Sequence, residues 1–139
     1  MMSGYKGYLS TRKFGGDRVP QRVQNIVIRN YCLDNDLQYA FGAVEVIMPR
    51  CYMILELLLD ELPSIDGIVC YSLFQLPESQ QQRRDIFDRI LNNKKSIHFA
   101  VEGLSASRPI HVDRLLDIYS VKSVVEYMET SQDIRKMLV

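Results

Sequence analysis

The sequence predicts a three-layer α/β fold, a mainly parallel four-stranded sheet with helices on both faces. Three observations predict it. Short apolar runs alternate with longer amphipathic segments in the order β-α-β-α-β-α-β-α, the pattern of parallel strands joined by helical crossovers. The run over 66–73, "DGIVCYSL", is apolar on both faces, as expected of a central strand covered twice. Gly, Pro and Asp-Gly punctuate the chain between these runs. Crossovers should be right-handed, and the expected strand order is 2-1-3-4.

The elements follow in order. "YKGYLS" (5–10) reads as the first strand and leads into the glycine-rich "TRKFGGD". The first helix follows, with Asp17 as expected N-cap and Pro20 in the first turn, where a missing N–H costs little. Val19, Val23, Ile26, Val27 and Tyr31 recur at helical spacing and should form its buried face. "LQYAFGAVEVI" (37–47) is the second strand. The Leu- and Met-rich segment over 48–65 is a helix that Pro63 ends. After the third strand and "QLPES" comes a helix with Ile86, Phe87, Ile90 and Leu91 on one side. "SIHFAVEG" (96–103) is the fourth strand, and about 108–137 is helical. With 139 residues and no repeats or linkers, residues 1–139 read as one domain.

Composition narrows the function classes. Seventeen basic residues balance seventeen acidic ones, so nucleic-acid or membrane binding would need a local patch. Cys32, Cys51 and Cys70 are odd in number, widely spaced and set among apolar residues, which reads as buried free thiols in a reducing compartment. The N-terminus carries no signal-peptide pattern and no apolar run spans a bilayer. The expectation is a cytoplasmic protein with no membrane partner. His98 and His111 lack ligand-spaced companions, so no metal is expected. The adjacent glycines of 12–17 match neither the dinucleotide fingerprint nor the P-loop, so no cofactor is expected. Met48, Met53 and Met128 read as core. Arg83, Arg84 and Arg89 read as a solvated helix face.

In open parallel sheets, ligands bind beyond the carboxyl ends of the strands. Ser10, Thr11 and Arg12 end the first strand here, Glu45 ends the second, Tyr71, Ser72 and Gln75 follow the third, and Glu102 ends the fourth. Arg18, Gln21 and the first helix's N-terminus overhang the same edge, as does Arg50. Glu45 and Glu102 are candidate acid/base groups. Arg12, Arg18 or Arg50 could hold a phosphate or carboxylate, with Thr11, Gln21, Tyr71, Ser72 and Gln75 as further ligand contacts. Ser10 is a candidate nucleophile, though no His base lies near it in sequence. The alternative is structural: hydroxyls at strand ends also cap helices and satisfy loop backbone, Glu102 before Gly103 also suits a turn, and Tyr71 also suits a core with a wet hydroxyl.

Two resemblances add to this. "GYLST", "QRVQNIVIRNYC", "PRCYMILELLLDEL", "IDGIVCYSLFQL" and "IHFAVEG" are together similar to the catalytic domain of serine recombinases and resolvases, over most of residues 4–103. That resemblance implies a resolvase-like, Rossmann-like sheet. It places Ser10 at the nucleophile position and Arg50 at one arginine position. The family's arginine two residues before the serine is Tyr8 here, its Asp-Arg pair is Phe74 and Gln75, and its next arginine is Glu78. Cleaving a phosphodiester needs cations around the phosphate, so the resemblance carries the fold further than the chemistry. The second resemblance covers nearly the whole chain. "GYKGYLSTRKFGGDRVPQRVQNIVIRNYC", "MPRCYMILELLLDELPSIDGIVCYSLFQLPES" and "IHFAVEGL" look like the sporadic carbohydrate cluster protein family of bacterial surface-polysaccharide gene clusters. It implies a role in O-antigen or capsule biosynthesis.

The leading expectation is an enzyme on a sugar phosphate or sugar nucleotide. The runner-up is a non-catalytic scaffold of a biosynthetic enzyme, with the Leu/Met-rich second helix and the C-terminal helix offering surfaces for homo-oligomers or that partner. A nucleic-acid-binding protein of recombinase descent ranks third, so nucleic acid is the disfavoured partner.

Overall fold

The structure, a computed structural model, describes residues 4–11, 18–45 and 52–122. In chain order these form β1 (Tyr5–Ser10), α1 (Gln21–Asp34), β2 (Tyr39–Glu45), α2 (Met53–Asp60), β3 (Gly67–Cys70), α3 (Gln80–Asn92), β4 (Ser96–Phe99) and β5 (Leu104–Ala106). Residues 109–122 are helical (α4). Single 3-10 turns occupy Leu62–Ser64 and Leu73–Gln75. Asp17, Met48, Cys51, Met128, Arg12 and Arg50 lie outside the described residues, as does the expected helix beyond 122.

The sheet runs β2-β1-β3-β4-β5. Its first four strands are parallel and in the expected order, and β5 returns antiparallel to β4. The four-strand expectation is corrected on this point. The run 96–103 is not one strand: it turns at Gly103, whose φ of 65° suits a residue without Cβ, and re-enters the sheet as β5. The third strand likewise ends at Cys70, before the hydroxyl-bearing residues. Gly67 admits no side chain, because a Cβ there would lie 2.1 Å from the Ser96 carbonyl oxygen and 2.7 Å from the Tyr5 ring.

Strand alternation sorts the interior into two layers. Tyr8, Ile68, Cys70, Ile97 and Phe99 point into the larger core, filled by Leu55, Leu58 and Leu59 of α2, Ile86, Phe87 and Ile90 of α3, and Leu115, Leu116 and Tyr119 of α4. Leu9 and Val69 point the other way, onto Ile28 and Cys32 of α1. Each fully buried aliphatic or aromatic side chain contributes about 1.5–3 kcal/mol of transfer free energy, so the larger layer dominates stability and α1 is held more by polar contacts.

The expected face of α1 is buried only in part: Tyr31 packs against the smaller layer. Gln24, Ile28 and Cys32, at spacing four, face the sheet. Val23 and Ile26 are 42% and 51% exposed. The helix starts at Gln21, with Pro20 at the N-cap instead of in the first turn. Met53 is also exposed rather than core. Arg83 is not on a solvated face: it is buried, its guanidinium lies 3.8 Å from the Tyr119 ring centroid, and Nη1 donates to the carbonyls of Pro77 and Glu78. Arg89 behaves as expected, pairing with exposed Glu56 and Asp60. Cys32 and Cys70 are buried and in no disulfide. Among the described residues no helix is long and apolar enough to cross a membrane, and no group of His, Cys, Asp and Glu is placed to hold a metal.

Candidate functional site

Four of the candidates converge at the carboxyl edge of the sheet, with a fifth residue that sequence reasoning missed. Ser10, at the end of β1, is fully buried. Its N–H donates to Gln24 Oε1 at 3.0 Å and its carbonyl accepts from Gln24 Nε2 at 2.6 Å. Gln24 Nε2 also donates to the Val19 carbonyl at 2.8 Å, and Gln24 Oε1 also accepts from Gln75 Nε2 at 3.0 Å. This uses every donor and acceptor position of a buried primary amide. Gln75 Oε1 in turn accepts from the Ser72 N–H at 3.1 Å. The Ser72 hydroxyl accepts from the Phe74 N–H, closing a capping box, and donates to Glu102 Oε2 at 3.0 Å. Glu102 Oε1 accepts from the Leu73 N–H at 2.6 Å. One continuous chain of hydrogen bonds thus runs Ser10–Gln24–Gln75–Ser72–Glu102 and ties the ends of β1, β3 and β4 to α1.

Glu45 sits apart from that chain and is also fully buried. Oε2 accepts from the Tyr8 hydroxyl at 2.8 Å and from the Leu55 N–H at 3.2 Å, and Oε1 accepts from the Ile54 N–H at 3.0 Å. A carboxylate from β2 therefore caps the first turn of α2, where free N–H groups and the helix dipole favour negative charge. Thr11 donates its hydroxyl to the Glu45 carbonyl at 3.2 Å. Tyr71 packs on the α1 side of the sheet beside Leu9 and Val69. Arg18 and Gln21 are exposed at the start of α1.

The structural alternative stated for the strand-end hydroxyls thus describes Ser72, which caps the turn after β3. Gln24 was the missed residue. Its signal was present: a polar side chain one turn before Ile28 and two before Cys32 has to be buried with its amide satisfied. Tyr8 was noticed only as the replacement for an arginine, and its role as partner of Glu45 depends on a contact 37 residues away.

The opposite face holds a second polar group. His98 on β4 takes Tyr31 of α1 on Nδ1 at 2.8 Å and the Ser96 hydroxyl on Nε2 at 2.9 Å. The Tyr5 hydroxyl reaches Ser96 Oγ at 2.9 Å, and the Tyr5 ring meets the imidazole edge-on. Burial lowers the His98 pKa from 6.5 to about 4, so the imidazole is neutral at pH 7.

No family model matches this chain, and no curated protein does. Solved structures do match. A resolvase family site-specific recombinase from Streptococcus pneumoniae superposes with a TM-score of 0.62 at 10% identity, over 95% of this chain and 97% of that one. The N-terminal catalytic domain of TP901-1 integrase superposes with a TM-score of 0.53 at 17% identity, over 91% and 98%. The likeness is one of fold, and it establishes the resolvase-like architecture.

These findings correct the functional expectation. The resemblance to the sporadic carbohydrate cluster family finds no support, and surface-carbohydrate biosynthesis falls with it, as enzyme or as scaffold. The sugar phosphate or sugar nucleotide is withdrawn as ligand. The low rank given to nucleic acid as a partner is also overturned, because the matching structures are recombinase catalytic domains.

Proposed function

We propose that this chain is a nucleic-acid-binding protein on a resolvase-like fold, engaging a duplex through phosphate contacts at the carboxyl edge of the sheet. The observation that carries this reading is the disposition of charge at that edge. Two carboxylates there, Glu45 and Glu102, are engaged by backbone N–H and hydroxyl donors of the protein itself. Exposed charges on the segments leading from that edge are Arg18 and Arg22, flanking the N-terminus of α1, and Glu78, after the turn that follows β3. Pro20 at the N-cap offers no side chain to cap that helix, and its first turn contains no acidic residue, an arrangement suited to an anion. Arg12 and Lys13 fall in the same stretch of sequence, against a single acidic residue, Asp17. The segment 12–22 thus carries a local excess of basic residues in a chain of zero net charge. The fold likeness to recombinase catalytic domains supports the same partner class.

The reading assigns binding to this edge, not strand cleavage. Ser10 is fully buried with its backbone locked to Gln24. Tyr8 and Gln75 stand where the recombinase motif carries arginines, and both are hydrogen-bonded inside the protein.

The test is fluorescence anisotropy of a labelled DNA duplex titrated with the protein across a salt series. Binding at low salt should weaken along a straight line of log K against log salt. Arg18→Ala with Arg22→Ala should make that slope shallower by about 1.8, at roughly 0.9 per phosphate contact. No binding at low salt, or an unchanged slope in the double variant, overturns the reading.

A further inference from the structure

A cleft of about 380 Å³ opens at the opposite end of the sheet, where β1, β3 and β4 begin. Its lining includes Lys94 and Lys95 from the turn after α3, Asp66 before β3, and the hydroxyl-bearing Tyr5, Ser96 and Ser107. Lys94 has a φ of 57°, in the left-handed region, and both consecutive lysines line the cleft. Among the described residues no ion pair engages Lys94, Lys95 or Asp66. The cleft floor is the outer end of the Tyr5–Ser96–His98–Tyr31 chain. The proposed duplex contact uses none of these residues.

We propose that this cleft binds a small protonated oxyanion of the phosphate class, held by Lys94, Lys95 and the Tyr5 hydroxyl, with Asp66 accepting the oxyanion's own proton. Two ammonium groups supply the charge attraction. Asp66 sets the selectivity. Hydrogen phosphate carries an O–H that a carboxylate can accept, whereas sulfate at neutral pH has no proton to offer and meets like charge.

The bound anion would be registered inside the fold. The neutral imidazole of His98 carries one ring N–H. In the Nδ1–H form, Nε2 is an acceptor, Ser96 must donate to it, and Tyr5 must then donate to Ser96. In the Nε2–H form, His98 donates to Ser96, Ser96 donates to Tyr5, and the Tyr5 proton is released toward the cleft. An acceptor bound beside Tyr5 therefore selects the Nε2–H tautomer and turns Tyr31 of α1 into the donor to Nδ1.

The experiment titrates inorganic phosphate into the full chain labelled with ¹⁵N-histidine, at constant ionic strength and pH 7, with sulfate and chloride as parallel arms. Phosphate should give a saturable change, and the His98 nitrogens should move to the Nε2–H pattern. Tyr5→Phe should weaken phosphate roughly tenfold, as expected for a hydrogen bond to a charged group, and abolish the tautomer response. Lys94→Ala with Lys95→Ala should abolish saturation. Asp66→Asn, which leaves the lysines in place, should remove the preference for phosphate over sulfate. A phosphate response no different from chloride, or a tautomer change that survives in Tyr5→Phe, overturns the proposal. No nucleic acid enters the experiment, so its outcome is separate from that of the duplex titration.

Discussion

Replacing Gln24 by Leu keeps the volume of the side chain and removes its amide. Four hydrogen bonds are lost: those of the Ser10 N–H, the Ser10 carbonyl, the Val19 carbonyl and Gln75 Nε2. Leaving a buried polar group without its partner costs about 1–3 kcal/mol. The Val19 carbonyl is only part-buried and can recruit water, so the loss concentrates on the Ser10 groups and the Gln75 amide. The expected destabilisation is about 3–5 kcal/mol, a large share of the roughly 5–15 kcal/mol that holds a typical domain together. Gln24→Glu sharpens the test. It keeps both acceptor bonds but turns the two donor positions into a carboxylate oxygen facing the Ser10 and Val19 carbonyls. It should be at least as destabilising as Leu, although it is the more conservative change in sequence. Urea unfolding followed by far-UV circular dichroism gives both values. A loss below about 1 kcal/mol for Gln24→Leu would refute the claim that this amide ties α1 to the strand ends.

Two further outcomes follow from buried groups. His98 has its pKa depressed from 6.5 to about 4, so the unfolded chain takes up a proton that the native state refuses. The resulting stability is complete above pH 6.5 and declines as pH falls toward 4, by about 3 kcal/mol in all at 1.36 kcal/mol per unit. The difference between wild type and His98→Gln in urea-unfolding free energy should show that decline, and a flat difference across pH 7 to 4 would count against it. Glu45→Ala removes the acceptor shared by the Tyr8 hydroxyl and the Ile54 and Leu55 N–H groups. It should cost about 2–4 kcal/mol, with Glu45→Gln intermediate because it keeps an acceptor oxygen. Equal unfolding midpoints for wild type and Glu45→Ala would show that α2 does not depend on this cap.

The fold was legible where a pattern extends over many residues. Strand-helix alternation and the doubly apolar "IVC" of β3 are signals of that kind, and the parallel pairing of β1 to β4 followed from them, whereas nothing in them sets the strand order. β5 was missed because three residues, Leu104–Ala106, contain no period to detect, and only Gly103 marks the turn before them. The face of α1 was misassigned for a different reason. Apolar periodicity picks the most hydrophobic stripe, here Val23, Ile26 and Val27, but tertiary contacts selected a neighbouring stripe headed by Gln24. A helix whose buried face begins with an amide is held by hydrogen-bond partners that local sequence does not reveal.

The same limit explains the site. Polar residues at the carboxyl ends of parallel strands meet two demands: the N–H and carbonyl groups that the ladder leaves open, and any ligand. The first is met before the second, because a buried group left without a partner destabilises the fold whether or not a ligand is present. Sequence order puts Ser10, Glu45, Ser72, Gln75 and Glu102 at the right edge, but it cannot show that Gln24 and Gln75, 51 positions apart, close on each other. That internal demand engages Glu45, Glu102, Gln24 and Gln75 within the fold, while Gln21 is exposed at the start of α1. Arg18 and Arg22 at the start of α1 are exposed as well. Under the duplex-binding proposal they are the groups that would meet a ligand recognised by its charge, the form a phosphate backbone presents.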